Sequence, residues 1–521
     1  MSRPAPENAL PRISSLLVIG ALASGGALAC AKSSPAGYAK DEEHRLAYAP
    51  AAPMAEADGE GYAKIDENEF FDAAQVPQST FAADVDTASY SNVRRFLRDG
   101  TLPPADAVRV EELINYFSYD YPAPKPEAGA PFSVLSEVSD CPWNSEARLL
   151  HIGIQGQALA AGQLPPRNLV FLLDVSGSME SPDKLPLLRR AMKLLVSTLG
   201  HQDHVSIVVY AGASGMVLEP TTGDQQQAIM AALDRLQAGG STNGGAGIER
   251  AYALAREHFD PQAINRVILA TDGDFNVGEV SRDGLEQLIT RERESGVFLS
   301  VLGLGTGNLQ DETMELLADK GNGNYAYIDS IAEARKVLIE EGGATLVTIA
   351  KDVKIQVEFD PAWVESYRLI GYENRLLDAQ DFDDDRKDAG EIGAGHSVTA
   401  LYELIPGKQP PFDVQTGPDE GDRVPAPLGE LRLRYKAPDG EQSQLLTKAI
   451  GDRGRALEDS SDDFRFAAAV AEFGLLLRKS EHAGSASWLA AIALAEGALG
   501  LDRGGHRREL IELMRVADGL D

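Results

Sequence analysis

Two cysteines, Cys30 and Cys141, are all that 521 residues contain. The chain can therefore close at most one disulfide and cannot build a cysteine-based zinc site. Basic residues are also scarce: 48 Lys and Arg stand against 80 Asp and Glu, a formal charge of −32. So acidic a chain repels phosphate backbones, and with no basic patch in the sequence it argues against nucleic acid as a partner. No apolar run is long enough for a polytopic membrane protein, and there is no collagen or coiled-coil period. A P-loop and a Gly-x-Ser-x-Gly nucleophile elbow are both missing. What is there has the composition of an ordinary globular protein, 43% apolar and 25% charged, which excludes wholesale disorder. The acidity points weakly to metal cations or basic partners, and a solvated acidic surface accounts for most of it. At about 150 residues per domain the length calls for roughly three to four units.

Arg3 and Arg12 flank a polar start, and Ile13 to Ala29 is almost wholly apolar and small (ISSLLVIGALASGGALA). That run is short for a permanent span and rich in Gly and Ser, so residues 1–29 read as a secretory signal. It ends at Ala27-Leu28-Ala29-Cys30, which is similar to the bacterial lipobox, with Leu displaced by one position. The resemblance implies that Cys30 is lipidated; an ordinary signal peptide with a chance Cys is the alternative. Ala31 after it, by the sorting rule for bacterial lipoproteins, implies the outer membrane, on its periplasmic or surface face. Residues 30–78, rich in Ala, Pro, Gly and charge, read as a flexible tether. With Cys30 lipidated, Cys141 has no disulfide partner, and in Asp140-Cys141-Pro142-Trp143 it is expected to be half-buried beside the Trp.

Residues 79–165 mix helical spacing (Ala88 to Leu97, Pro104 to Phe117) with half-buried strands (Phe132 to Val138, Arg148 to Ile154). Over 166–330, continuous apolar strands alternate with amphipathic helices, which predicts an α/β unit with a parallel sheet covered on both faces. Residues 331–450 return to a period of two, with strands at Val353 to Phe359, Ser397 to Leu404 and Glu430 to Tyr435. Residues 451–521 read as three helices packed as a bundle. β-patterns on both sides of the α/β unit predict that it is inserted in one β-rich module.

Three separated segments carry chemistry. Asp174-Val175-Ser176-Gly177-Ser178 directly follows the apolar strand Asn168 to Leu173. Gly239-Gly240-Ser241-Thr242-Asn243 precedes a helix. Thr271-Asp272-Gly273-Asp274 directly follows the strand Arg266 to Ala270. In an open α/β sheet ligands gather beyond the carboxyl ends of the strands, so Asp174 and Asp272 can converge there. Hydroxyls and carboxylates are hard oxygen donors, suited to Mg²⁺, Mn²⁺ or Ca²⁺ and unsuited to zinc or copper. Two carboxylates leave such an ion electropositive enough to accept another.

In order and spacing these segments resemble the von Willebrand factor A domain and its metal-ion-dependent adhesion site, over residues 167 to 330. The resemblance implies direct contacts to the ion from Ser176, Ser178 and Thr242, and contacts mostly through water from Asp174 and Asp272. The open position would take an Asp or Glu from a partner protein. The flanks, with Ser79-Thr80-Phe81, Asn92-Val93-Arg94-Arg95-Phe96-Leu97 and Phe464-Arg465-Phe466-Ala467, resemble a bacterial family of secreted von Willebrand A proteins of the YfbK type.

Other features carry less. Gly303-x-Gly305-x-Gly307 has the wrong spacing for a dinucleotide loop and reads as a tight turn near the metal face. Asp381, Asp383, Asp384 and Asp385 invite calcium, but Arg386 and Ile392 stand where an EF-hand needs Gly and Glu, so a solvated loop is expected, with an irregular second cation site as the alternative. His201 and His204 lie in a loop beside Asp203 with no third ligand, and read as helix-capping or surface residues. His151 reads as a satisfied core histidine, and Phe466, Phe473 and Leu475 to Leu477 as core. The expectation is a non-enzymatic, cation-dependent binding lipoprotein, Mg²⁺ first among the ions. A metal-independent envelope scaffold is one alternative, and a metal-assisted hydrolase with Asp274 as base another.

Overall fold

The apolar run Asn168 to Leu173 forms the strand Arg167–Asp174 inside a six-stranded sheet of the described residues. The sheet runs Tyr325–Ile328, Phe298–Leu304, Ile264–Thr271, Arg167–Asp174, His204–Tyr210, Ser214–Thr222. The computed structural model of the chain describes residues 59–83, 86–125, 129–159, 163–211, 214–240, 244–273, 282–342, 346–387, 389–407, 426–438 and 440–521. The signal, Cys30, most of the tether, Thr242 and Asp274 lie outside the described residues. Leu169, Phe171 and Leu173 pack with the helix Leu185–Val196 on one face, and Val170 and Leu172 with the helix Gly244–Glu257 on the other. A strand covered on both faces cannot afford a polar alternation, which is why the run is continuous.

Five of these strands are parallel, and the edge strand Ser214–Thr222 is antiparallel to His204–Tyr210. The expected parallel sheet is thus a mixed one. The chain has only a few residues between Tyr210 and Ser214, too few for the crossover that a parallel neighbour requires.

Among the described residues, two antiparallel sheets form the rest of the β structure. One is ordered Phe71–Asp72, Val364–Ile370, Ser397–Pro406, Arg148–Gly156, Phe132–Asp140; the other holds Gly390–Gly393, Thr348–Phe359, Ala426–Lys436 and Ser443–Asp452, with Gln78–Ala82 also paired to Thr348–Phe359. Each sheet draws strands from before and after the α/β unit, so that unit is an insertion in a β-rich module. Residues 59–78, read from sequence as the end of the tether, belong to this fold: Gly61 bridges Gln310 and Phe71 pairs with Tyr367. The strands Val364–Ile370, Gly390–Gly393 and Ser443–Asp452 escaped the sequence reading.

Leu150, Ile152 and Ile154 face the second sheet in a shared core with Ile355, Val357, Leu431 and Leu433. Their alternates, Leu149 and His151, face the helix Asp462–Arg478, so this strand is buried on both sides rather than half-buried. The last three helices do not form a bundle of their own. Asp462–Arg478, Trp488–Glu496 and His506–Leu520 share one core with Tyr90, Val93, Leu113, Ile114 and Phe117 from near the start of the fold. The helices Ala88–Arg98 and Val110–Asn115 cover part of their apolar surface.

Buried His151 accepts or donates one hydrogen bond, between Nε2 and the Tyr121 hydroxyl at 2.8 Å, and its Nδ1 has no partner. Burial pushes its pKa down to about 4. The unfolded chain therefore takes up a proton near pH 6.5 that the folded chain refuses until about pH 4, and stability falls as pH falls through that window. Between pH 7 and pH 5 this residue is expected to cost about 2 kcal/mol. Thermal denaturation at the two pH values checks it, because a His151→Gln variant should lose that part of the acid sensitivity.

Cys141 is buried, not half-buried, at 5% exposure, and its thiol lies 3.8 Å from Glu403 Oε1. Trp143 Nε1 donates to the same oxygen at 2.6 Å, and Arg368 holds the other carboxylate oxygen at 2.6 Å. Burial pushes the thiol far above its ordinary pKa, which keeps a lone cysteine unreactive.

Candidate functional site

Asp174 ends one parallel strand and Asp272 follows the next, with Leu173 paired to Ala270 across them. Both carboxylates are fully buried. The turn after Asp174 folds back on it: Ser176 N–H donates to Asp174 Oδ1 at 2.8 Å, and the Ser176 and Ser178 hydroxyls lie 2.9 Å apart. Thr271 Oγ1 donates to Asp174 Oδ2 at 3.4 Å and accepts from Gly273 N–H at 3.2 Å. Ser176 is buried and Ser178 is exposed, so the hydroxyls step outward from the carboxylates to solvent.

The middle segment arrives on backbone hydrogen bonds. Gly239 N–H donates to the Val175 carbonyl at 2.8 Å, and Gly177 N–H to the Gly240 carbonyl at 3.0 Å. These contacts bring the residues just before Thr242 against the Asp174–Ser178 turn. Four of the five expected metal ligands (Asp174, Ser176, Ser178, Asp272) therefore sit in one place, and the fifth, Thr242, lies outside the described residues. Gly273 permits the crossing of the third segment: its φ is +97°, and a Cβ there would meet Gln310 N at 2.5 Å.

Burial pushes the Asp174 carboxyl up to about 6, against the hydrogen bonds from Ser176 and with the charge of Asp272 adding to it. For Asp272 burial also acts upward, but hydrogen bonds from Lys184, Ser178 and Asn308 outweigh it and hold the carboxyl below its ordinary value. Lys184 Nζ donates to Asp272 Oδ2 at 2.9 Å and to Asn308 Oδ1 at 3.0 Å. Neither Lys184 nor Asn308 was a candidate from sequence.

The donor set fits a hard divalent cation: two carboxylates and two hydroxyls, with no sulfur or imidazole among them. Among the described residues no three His, Cys, Asp or Glu side chains gather as a metal cluster. The acidic knot is spent on cations of the protein itself. Asp381 pairs with Lys387 at 3.0 Å, Asp384 with Arg386 at 2.8 Å and Asp383 with Arg434, while Lys354 and Lys436 hold the backbone carbonyls. His201 and His204 are exposed, and Asp203 between them pairs with Arg167 at 2.9 Å. Gly305 and Gly307, at φ +71° and +89°, form the expected turn beside this face. Asp274, the base of the hydrolase alternative, lies outside the described residues. Recesses of about 290 Å³ open elsewhere, along the seam between the α/β unit and its flanks, and Asp174, Ser176, Ser178 and Asp272 line neither of the two.

Residues 168–339 match the family model described as von Willebrand factor type A domain, and residues 56–151 one described as von Willebrand factor. Residues 344–520 match the model described as "Uncharacterized protein YfbK, C-terminal". The chain is 45% identical over 490 residues to "Uncharacterized protein YfbK" of Escherichia coli (strain K12), covering 91% of this chain and 84% of that protein. Inter-alpha-trypsin inhibitor heavy chain H2 of Homo sapiens is 27% identical over 150 residues, 27% of this chain and 16% of that protein. Among solved structures, the von Willebrand factor type A protein from Catenulispora acidiphila covers 75% of this chain and 91% of that chain, at a TM-score of 0.42 and 17% identity. The chain belongs to the YfbK family of von Willebrand factor type A domain proteins.

Proposed function

We propose that the protein is a non-enzymatic, divalent-cation-dependent binding lipoprotein of the cell envelope, anchored through Cys30 to the outer membrane. A von Willebrand factor type A domain supports a protein-interaction or adhesion role. One observation carries the finer reading: Asp174, Ser176, Ser178 and Asp272 come together at the carboxyl ends of adjacent parallel strands. Ser176, Ser178 and Thr242 would hold the ion directly, and Asp174 and Asp272 mostly through water; Mg²⁺ suits the set best, with Mn²⁺ and Ca²⁺ as substitutes. When bound, the cation supplies a Lewis-acidic position for the carboxylate of a partner's Asp or Glu.

The chain's own residues do the rest. Ser176 N–H orients Asp174, the two seryl hydroxyls point from the buried carboxylates to the surface, and exposed Ser178 marks the side from which a partner approaches. The Lys184–Asp272 ion pair favours a second reading, a scaffold that binds without metal. Crosslinking and pull-down from envelopes, with Mg²⁺ and with chelator, separates the two. Partners captured with Mg²⁺ should be lost with chelator and in a Ser176→Ala, Ser178→Ala variant. Capture unchanged by both treatments contradicts the cation-dependent reading and supports the scaffold.

A further inference from the structure

We propose that Lys184 is a built-in competitor of the divalent cation: its ammonium neutralises Asp272 and so sets how tightly this chain holds metal. The proposal rests on the cation reading of the site.

Lys184 is 7% exposed, and an ammonium taken out of water needs partners to repay its lost hydration. The two it has are Asp272 Oδ2 at 2.9 Å and Asn308 Oδ1 at 3.0 Å. Nothing local to the lysine explains its place. It directly precedes the helix Leu185–Val196, where the helix dipole favours an anion and opposes a cation. The long-range carboxylate therefore holds it there.

The path of the side chain is also built. Its stem crosses Gly305 so closely that a Cβ on that residue would collide with the lysine methylenes. Gly305 at φ +71° lies on the same loop as Asn308, so one loop both admits the stem and receives the ammonium. Two residues of that loop, Gly307 and Leu309, are in turn fastened by hydrogen bonds to Glu60 and Gly61. The lysine is thus part of a fixed wall beside Asp272.

The charge count gives the consequence. Asp174 and Asp272 carry two negative charges, and Lys184 reduces the sum to −1. A divalent cation then brings the site to +1 rather than to neutrality. The lysine weakens attraction for the ion, and it leaves the loaded site with a positive charge that only an incoming carboxylate cancels. Metal and acidic partner are thereby made to bind better together than apart.

Magnesium titrated calorimetrically into the purified chain and into Lys184→Met, at low ionic strength after chelation, tests this. The methionine keeps the stem and removes the charge. The variant is expected to bind Mg²⁺ at least about tenfold more tightly. In chelator it should melt below the parent, and Mg²⁺ should raise its melting temperature by more than it raises the parent's. Equal or weaker binding by the variant, with the parent still binding Mg²⁺, overturns the role of Lys184 and leaves the metal site standing. Absence of Mg²⁺ binding in both proteins overturns the metal reading and this inference with it. If Lys184→Met does not fold, Lys184→Gln carries the test. It removes the charge while keeping a polar end for Asn308 and Asp272, and is expected to tighten Mg²⁺ in the same direction; an unchanged affinity overturns the proposal.

Discussion

Replacing Arg94 by alanine is expected to lower the free energy of unfolding by about 3–5 kcal/mol. The guanidinium lies on the helix Ala88–Arg98, with its side chain 3% exposed, and ties three distant parts of the chain together. It reaches Asp329 through two hydrogen bonds of 2.7 and 2.6 Å, Glu333 at 2.7 Å and Glu509 on the last helix at 3.2 Å. The Tyr116 hydroxyl closes the network on Glu333 at 2.8 Å. Burial opposes ionisation of Glu333, and the charges of Arg94 and Lys336 outweigh it, so the carboxyl stays below its ordinary pKa. Alanine would leave two buried carboxylates facing each other without the cation that made their burial possible. Urea unfolding followed by tryptophan fluorescence measures the cost. A Glu333→Gln change made on top of Arg94→Ala should recover part of the loss, since the stranded charge is then gone; a cost under about 1 kcal/mol would contradict this account.

The α/β unit was legible because its strands are buried on both faces. A run such as Asn168 to Leu173 has no polar interruption to confuse, and the helix Asp311–Lys320 opens on acidic residues and ends at Gly321. The strand Val364–Ile370 was not legible for the opposite reason. Arg368 stands in it at 2% exposure, paired with Glu403 at 1%, so a charge occupies a core position and breaks the pattern. Ser214–Thr222 and Ser443–Asp452 lie at sheet edges, where half-exposed side chains weaken the alternation. The helices of the last part read well one by one. What could not be read is that they share a core with residues near 90–117, because only the folded chain brings such distant surfaces together.

At the site the sequence showed the groups that follow strands and missed those that come to them from elsewhere. Asp174 and Asp272 were placed by the rule that ligands gather at the carboxyl ends of parallel strands. Lys184 and Asn308 stand 124 positions apart and meet beside Asp272, with the lysine donating to both. One signal was available for the lysine: a cation directly before a helix, where the dipole opposes it, asks for an anion from another part of the chain.

Loss of Asp174 is expected to abolish cation binding, with affinity falling by about 100-fold or more. Its Oδ1 fixes the turn through Ser176 N–H, and its charge is half of the anionic charge the site offers. Asp174→Asn keeps an acceptor for that N–H, so the turn should survive while the charge goes. Asp174→Ala removes both, and the two variants together separate lost charge from lost shape. The most direct measurement is therefore calorimetric titration of Mg²⁺ into the purified chain, Asp174→Asn and Asp174→Ala. A saturable, one-to-one heat in the parent that disappears in both variants is the expected result. Binding that persists unchanged without Asp174, or no binding to the parent chain, would contradict a metal-dependent binding site at the ends of these strands.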